Sequence, residues 1–161
     1  MQLTGKEIIE KQIIKNYCND GIQQQGVDVR LKSIRKMSTL GGGYVPAQGK
    51  TRLPEGYSFK EEEKFELQPG YYEIVFEEGV MIPNNCTLHF KTRSSLVRCG
   101  AEVLSGQFDA GFHTENAGAF LHVILPITIE KGARVAQAIV FVSNPVGNLY
   151  EGQWQGDKQR M

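Results

Sequence analysis

The feature that most limits the fold of this chain is a regular succession of short apolar segments and turns that begins at Leu67. Apolar residues alternate with other residues over 72–76 and again around 88–90, and the sequences Pro69-Gly70 and Glu78-Gly79 separate these segments as turns. Strands spaced about 8 to 12 residues apart, with turn signals between them, are typical of sandwiches and barrels. The sequence therefore predicts an all-β protein.

Further strands are predicted on both sides of this stretch. Residues 26–31 alternate between apolar and polar side chains, and residues 119–129 form a strand pair too apolar to face water on both sides. A Glu-Lys-Gly turn then leads into another apolar strand over 133–142. With 161 residues, the chain is long enough to bury a core, and we expect a single domain.

Two segments differ from the strand pattern. Thr4 and Glu7 have the spacing of a capping box. Apolar residues follow them at helical spacing, which predicts a short amphipathic helix from about residue 5 to about residue 17. Residues 38–64 contain few core residues and are expected to form a surface excursion. No Gly-Lys-Ser/Thr follows the glycine triplet at 41–43, so this segment is not a P-loop.

Composition excludes several classes of protein. The 18 Lys and Arg residues balance the 18 Asp and Glu residues, which gives no case for nonspecific nucleic-acid binding. The three cysteines show no C-x-x-C spacing, so a disulfide framework and a zinc site are both disfavoured. Lys6 and Glu7 stand where a signal peptide would be apolar, and no apolar run approaches the length of a membrane span. We expect an intracellular, cytoplasmic protein.

Cationic and hydroxyl side chains gather at residues 93–98. Arg93, Ser94 and Ser95 place a guanidinium beside two hydroxyls, and Arg98 follows five residues after Arg93. A guanidinium pairs with phosphate oxygens, and hydroxyls add short neutral donors. The segment is therefore either a phosphate-binding site or simply the polar end of a strand.

A second chemical motif follows at residues 106–112, where Asp109 lies among glycines and aromatic residues. Glycines at 106 and 111 permit tight bends and a close approach of the backbone to a ligand. A phosphate-binding segment followed by a carboxylate loop suits an enzyme that acts on nucleotides.

These motifs resemble those of the dUTPase and dCTP deaminase superfamily. RSSLVRCG is similar to its phosphate-contacting motif, GQFDAGF to its G-x-x-D-x-x-aromatic loop, and the order of turns and strands extends the resemblance over residues 67–112. Residues 134–137 resemble its R-x-x-Q motif, and 150–156 resemble the closing Y-x-G-x-Y-Q-G arm of the deaminase branch. The resemblance implies a distorted β-barrel or jelly-roll of the dUTPase type with a short N-terminal helix. The domain would span 1–161, with a mobile C-terminal arm over about 148–161.

The same resemblance assigns roles to individual residues. Asp109 would activate a water molecule for attack on the α-phosphorus, while Arg93 and Ser94 would offset the developing charge together with Mg²⁺. Asp28 would lie near the metal and contact it through water. Substrate contacts are implied for Ser95, Arg98, Gly106, Phe108, Phe112, Gln137, Tyr150 and Gln155. Gln153 occupies a place in the arm where the family often has a basic residue.

The choice between hydrolysis and deamination depends on one glutamate. The deaminases carry it on the strand after the G-x-x-D loop, and its place here falls on Val123, or on His122 if one gap is allowed. Neither is a carboxylate, so the resemblance favours a dUTP diphosphatase that forms a homotrimer with sites at subunit interfaces. A dCTP deaminase or bifunctional enzyme, and a non-catalytic nucleotide-binding regulator of the same fold, remain the alternatives.

Overall fold

The computed structural model describes residues 1–156 and consists mainly of β-strands. Two short helices are present, α1 (Gly5–Glu10) and α2 (Ser94–Arg98), and a 3-10 turn covers Asn19–Gly21. The strands are β1 (Ile14–Lys15), β2 (Val27–Lys36), β3 (Lys64–Leu67), β4 (Gly70–Phe76), β5 (Gly79–Met81), β6 (Cys86–Thr92), β7 (Ala101–Leu104), β8 (His113–Thr114), β9 (Gly118–Val123), β10 (Ile127–Glu130) and β11 (Arg134–Val142). Neither helix in the described part of the chain has the length and apolar character that crossing a bilayer requires.

Six strands form the main sheet in the order β6-β11-β2-β4-β9-β7, and every pairing in it is antiparallel. Its two outer strands meet through Thr92 at the end of β6. The Thr92 hydroxyl accepts from Val103 N on β7 at 2.8 Å and donates to Val103 O at 3.2 Å. This contact brings the sheet almost to closure, so the predicted all-β barrel architecture is confirmed.

The interior of the barrel explains the alternation seen in the sequence. Val27, Val29 and Leu31 on β2 are fully buried, and they pack in one cluster with Phe76 of β4 and Val140 of β11. Because successive strand residues point to opposite faces, a single alternating pattern supplies one face to this core. Burying these side chains is the main source of the barrel's stability.

The N-terminal helix is shorter than predicted. The capping box is present, with Thr4 N donating to Glu7 Oε2 at 2.8 Å, but α1 ends at Glu10 and not near residue 17. Gln12 and Asn16 both have positive φ angles, of 57° and 56°, which are incompatible with a continuing right-handed helix. The apolar residues after Glu10 reach the core through a bend and the short strand β1. Helical spacing of apolar residues alone does not predict this end of the helix.

The surface excursion over residues 38–64 is largely exposed up to β3, as expected. Its base follows β2, with Ser38 N donating to Glu55 O at 2.8 Å and Tyr57 N donating to Lys36 O at 2.9 Å. Farther out, Tyr44 and Arg52 exchange two backbone hydrogen bonds of 2.8 and 2.9 Å. The excursion is therefore a folded hairpin attached along β2. We call its outer part, residues 44–53, the excursion hairpin.

A buried ion pair fixes β2 against the turn before β5. Glu78 is fully buried, and its carboxylate accepts from Arg30 Nε at 2.6 Å and from Arg30 N at 2.8 Å. Burial raises the pKa of Glu78, and the hydrogen bonds and charge of Arg30 oppose that rise. Arg30 therefore keeps an otherwise costly carboxylate paired inside the protein.

Candidate active site

A cleft of about 480 Å³ opens between the G-x-x-D loop, β9 and the C-terminal arm. Its lining comprises residues 104–109 and 118–120, the side chains of Phe112 and Thr114, the arm residues Tyr150, Trp154 and Gly156, and two residues from elsewhere, Leu53 and Glu73. Most of the lining is apolar, with a few polar groups among the apolar side chains. Such a composition is typical of a small-molecule pocket. We call this cleft the aromatic pocket.

The G-x-x-D loop is shaped by its glycine at 111. Gly111 has a φ of +90°, and a Cβ placed there would lie 2.6 Å from the Cβ of Leu149. Both the backbone conformation and the close approach of the arm therefore require glycine. A Cβ placed on Gly106, by contrast, would meet no atom within 4 Å. The packing of this chain therefore does not require glycine at position 106.

Asp109 lies on the rim of the aromatic pocket with its side chain exposed. Its Oδ1 atom accepts a hydrogen bond of 2.7 Å from Gln107 Nε2, which orients the carboxylate. A carboxylate held in this way beside an apolar cleft can accept a proton from a water molecule or orient that water for attack.

The wall of the pocket is a chain of aromatic rings. Phe108 contacts Phe90 of the core at 5.2 Å between ring centroids, Phe112 contacts Phe108 at 5.1 Å, and Tyr150 meets Phe112 at 5.5 Å. Phe108 also exchanges two backbone hydrogen bonds with Leu88 on β6. The loop is thus anchored to the barrel, and its aromatic side chains offer a rigid apolar surface to a ring-shaped ligand.

The C-terminal arm packs on the loop of its own chain. Tyr150 N donates to Ala110 O at 2.8 Å, and the side chain of Gln155 accepts from His113 N at 3.0 Å and donates to Gly111 O at 2.9 Å. In this structure Tyr150 and Gln155 serve to dock the arm. Residues 157–161 of the predicted arm lie outside the described residues, and the mobility of the arm stays a prediction.

Two of the predicted phosphate-binding residues, Arg93 and Gln137, lie in a separate cluster around Asp28. This carboxylate on β2 is almost fully buried and pairs with Arg93 Nε at 3.2 Å and with Arg134 Nη1 at 3.4 Å. Gln137 Nε2 donates to its other oxygen at 3.1 Å. Asp28 thus brings together the motif residues Arg93, Arg134 and Gln137, which are far apart in the sequence.

The Arg-Ser-Ser motif follows directly after the end of β6 and begins a helix. Arg93 is the residue before α2, Ser94 and Ser95 form its first turn, and Arg98 ends it. The two serines and Arg98 are exposed on the surface of the chain. In residues 1–156, none of these four lines the aromatic pocket. One chain therefore carries two groups of site residues in two places.

The two positions considered for a deaminase glutamate lie outside the pocket. Val123 is buried and faces the core, whereas His122 is exposed and its Nδ1 lies 3.1 Å from Glu102 Oε1. His122 therefore belongs to a surface pair on neighbouring strands. Neither position offers a carboxylate to a ligand in the aromatic pocket.

Glu73 is a pocket residue that the sequence motifs did not indicate. It is 4% exposed on β4, lines the aromatic pocket, and accepts from Arg35 Nε at 2.7 Å. Arg35 in turn lies over the ring of Phe59 at 4.6 Å. The sequence signal that could have indicated it is a glutamate within an otherwise apolar strand. Such a carboxylate is expected to be buried, and a buried carboxylate needs a cation or several donors.

The described residues of one chain lack a cluster of several ligands that could hold a metal ion by itself. They contain no group of three or more His, Cys, Asp or Glu side chains with suitable geometry. Both oxygens of Asp28 accept from Arg93, Arg134 or Gln137, and two guanidinium groups beside a carboxylate weaken its attraction for a divalent cation. These contacts support a positioning role for Asp28, and its metal role stays a prediction.

Residues 2–143 match the sequence profile of a family described as dCTP deaminase-like. The chain is 32% identical, over 98% of its length and 99% of the relative's, to a probable deoxyuridine 5'-triphosphate nucleotidohydrolase of Aeropyrum pernix. It is 33% identical, over 91% of its length and 94% of the relative's, to a deoxyuridine 5'-triphosphate nucleotidohydrolase of Methanocaldococcus jannaschii. The matched residues 2–143 include the cluster around Asp28 and the G-x-x-D loop.

The fold is similar to that of the crystal structure of 2'-deoxycytidine 5'-triphosphate deaminase from Agrobacterium tumefaciens, with a TM-score of 0.64. The match covers 88% of this chain and 48% of that one, at 16% sequence identity. At this level of identity, the similarity concerns the fold alone.

Proposed function

Because this chain belongs to the dCTP deaminase-like family, we propose that it uses the family fold to hydrolyse dUTP to dUMP and pyrophosphate. The observation that carries the proposal is an oriented, exposed Asp109 on the rim of an aromatic pocket, while the two deaminase positions hold Val123 and His122. The names of the relatives from Aeropyrum pernix and Methanocaldococcus jannaschii support the same reaction.

In the proposed mechanism, the aromatic pocket holds the nucleoside and Asp109 acts on a water molecule. Phe112 packs against the sugar, and the backbone around residues 104–120 faces the base. The hydrogen bond from Gln107 keeps the Asp109 carboxylate in one orientation. That carboxylate accepts a proton from the water as the water oxygen attacks the α-phosphorus, and pyrophosphate leaves.

Arg93 and Ser94 supply charge and hydrogen bonds to the phosphates, with help from Gln137. Their placement at the start of α2, with Asp28 holding the guanidinium of Arg93, keeps these donors in a defined position. Donors that are fixed before the reaction stabilise developing negative charge without reorganising. We place Mg²⁺ with the phosphates of the nucleotide, since this ion commonly keeps its waters and binds substrate phosphates.

We further propose that the enzyme is a homotrimer in which neighbouring chains complete each site. The phosphate-binding cluster and the aromatic pocket lie in different places on one chain, so a partner copy can bring the two groups together. Val97, Ile124 and Leu125 remain 53–57% exposed near the end of α2, where Ile124 N and Leu125 N both donate to Gly100 O. Exposed apolar residues close to each other suit an interface.

Light scattering at micromolar concentration tests this assembly. We expect a mass three times the 18.0 kDa of the chain, and replacing the exposed Leu125 by Asp should lower it, because a buried charge opposes association. The matched change of the exposed Leu40 in the excursion should leave the mass unchanged. A wild-type protein with the mass of one chain would contradict the proposal.

A substitution at Ser94 tests the phosphate contact. Ser94→Ala should weaken dUTP binding by about 10- to 100-fold, because a hydrogen bond to a charged group is lost. Its melting temperature should barely change, since the side chain is exposed. Ser58→Ala, at another exposed serine, is the control. A large loss of stability with unchanged affinity would assign Ser94 to structure.

The overall proposal is tested by measuring pyrophosphate and ammonia release from dUTP and dCTP side by side. We expect pyrophosphate from dUTP and no ammonia from either nucleotide. The second candidate is deamination of dCTP, which Glu73 would have to serve as the buried carboxylate of the pocket. The pairing of Glu73 with Arg35 disfavours that role, because Arg35 Nε already donates to the Glu73 carboxylate at 2.7 Å. Ammonia released from dCTP would favour deamination.

We also place the enzyme in the cytoplasm. Cys18, Cys86 and Cys99 are all free thiols in the structure, and such thiols persist in a reducing compartment.

A further inference from the structure

Gln153 in the C-terminal arm joins that arm to the excursion hairpin, although the two segments are about a hundred residues apart in the sequence. Thr51 N donates to Gln153 Oε1 at 3.1 Å, and Gln153 Nε2 donates to Thr51 O at 2.7 Å. One side-chain amide therefore satisfies both backbone groups of a single residue, as a neighbouring strand would. The arm position at which the family often has a basic residue therefore makes a contact within the protein here.

The residues next to this contact cover the aromatic pocket. Leu53 follows Thr51 by two residues, Trp154 follows Gln153 directly, and both line the pocket. Both also line an adjoining groove that contains Arg35, Lys50 and Arg52. The Gln153–Thr51 contact thus lies where two segments of the chain meet at the pocket.

The arm is also fixed on its other side. The side chain of Gln155 bonds to the backbone of residues 111 and 113, and Trp154 N donates to the hydroxyl of Tyr150 at 3.1 Å. Gln153 and Gln155 therefore connect the arm to two different segments, with Trp154 between them over the pocket. Gln155 attaches the arm to the G-x-x-D loop, and Gln153 attaches it to the excursion hairpin.

We propose that Gln153 is a positioning residue that holds the arm and the excursion hairpin together as a two-part cover over the aromatic pocket. The cover places Trp154 and Leu53 against a bound nucleoside, so part of the free energy of substrate binding depends on the Gln153–Thr51 contact. This substrate role rests on the function proposed above, whereas the contact itself does not.

Fluorescence tests the contact without any substrate, because Trp154 is the one tryptophan in the sequence. In Gln153→Ala, we expect the emission of Trp154 to shift to longer wavelength and its quenching by acrylamide to increase. Gln153→Glu should behave similarly at pH 8, since a carboxylate can accept from Thr51 N but cannot donate to Thr51 O. Gln48→Ala, at an exposed glutamine of the excursion hairpin, should match the wild type. Unchanged emission and quenching in both Gln153 variants would overturn the proposal.

Kinetics with dUTP then tests the substrate role. Gln153→Ala should raise KM by about 3- to 30-fold, which is the effect of losing one to two net hydrogen bonds. The kcat and the melting temperature should stay close to the wild-type values, because Asp109 and the barrel are untouched. A fall in kcat with unchanged KM, or no kinetic change despite altered fluorescence, would overturn the role of the cover in binding. If the wild type does not hydrolyse dUTP, the proposed function fails, and fluorescence still decides on the contact.

Discussion

Replacing Asp109 by Asn should reduce the turnover of dUTP by about 10²- to 10⁴-fold, which is the usual contribution of a positioned general base. An amide has nearly the shape of the carboxylate but cannot accept the proton of the attacking water. The aromatic wall of Phe108, Phe112 and Tyr150 is unaffected by the change. Affinity for dUTP should therefore remain within a few-fold of the wild-type value.

Pyrophosphate release and equilibrium binding, measured on the same preparations, separate these two effects. Glu62→Gln removes an exposed carboxylate from the excursion and should leave both quantities unchanged, which controls for the loss of one negative charge. An Asp109→Asn protein that hydrolyses dUTP normally would show that another group activates the water. A wild-type protein that binds dUTP and turns over neither dUTP nor dCTP would instead support a regulatory role.

Replacing Arg30 by Met should lower the free energy of unfolding at pH 8 by about 3 kcal/mol, at the lower end of the usual cost of breaking a buried ion pair. The change leaves the fully buried carboxylate of Glu78 without its cation. The cost is not larger because the side chain of Arg30 is itself 25% exposed. Denaturant unfolding monitored by circular dichroism measures this difference.

The loss should also depend on pH. Burial already raises the pKa of Glu78 in the folded protein, and removing Arg30 leaves that effect unopposed. When the pKa of a carboxyl group is higher in the folded than in the unfolded state, its contribution to the free energy of unfolding is fully present below the unfolded-state pKa. This contribution is lost as the pH rises through the folded-state pKa. The deficit of Arg30→Met should therefore be smaller at pH 5 than at pH 8.

The exposed pair of Lys64 and Glu130, with nitrogen and oxygen 3.9 Å apart, provides the matched control. Lys64→Met should change the free energy of unfolding by less than about 1 kcal/mol at either pH, because water solvates both charges. An equal decrease in the free energy of unfolding in the two variants would mean that burial does not determine how much the Arg30–Glu78 pair contributes to stability.

The sequence by itself determined the succession of strands and the presence of the carboxylate loop. Alternation and turn residues are local properties, so β4, β6, β9 and β11 could be located from short segments. The motif around Asp109 was recognisable for the same reason, because its glycines, carboxylate and aromatic residues are neighbours in the chain. Helical spacing was less informative at the N-terminus, where positive φ angles at Gln12 and Asn16 end the helical stretch early.

Only the tertiary structure decided which distant residues meet. The pairing of Glu73 with Arg35 depends on the register between β2 and β4, and local patterns do not specify a register. The cluster around Asp28 likewise depends on how β11 lies beside β2. The contact between Gln153 and Thr51 depends on where a long surface hairpin lies relative to the C-terminal arm. Such contacts follow from the packing of the whole chain, because side chains of compatible chemistry occur at many positions and only the fold selects which of them come together.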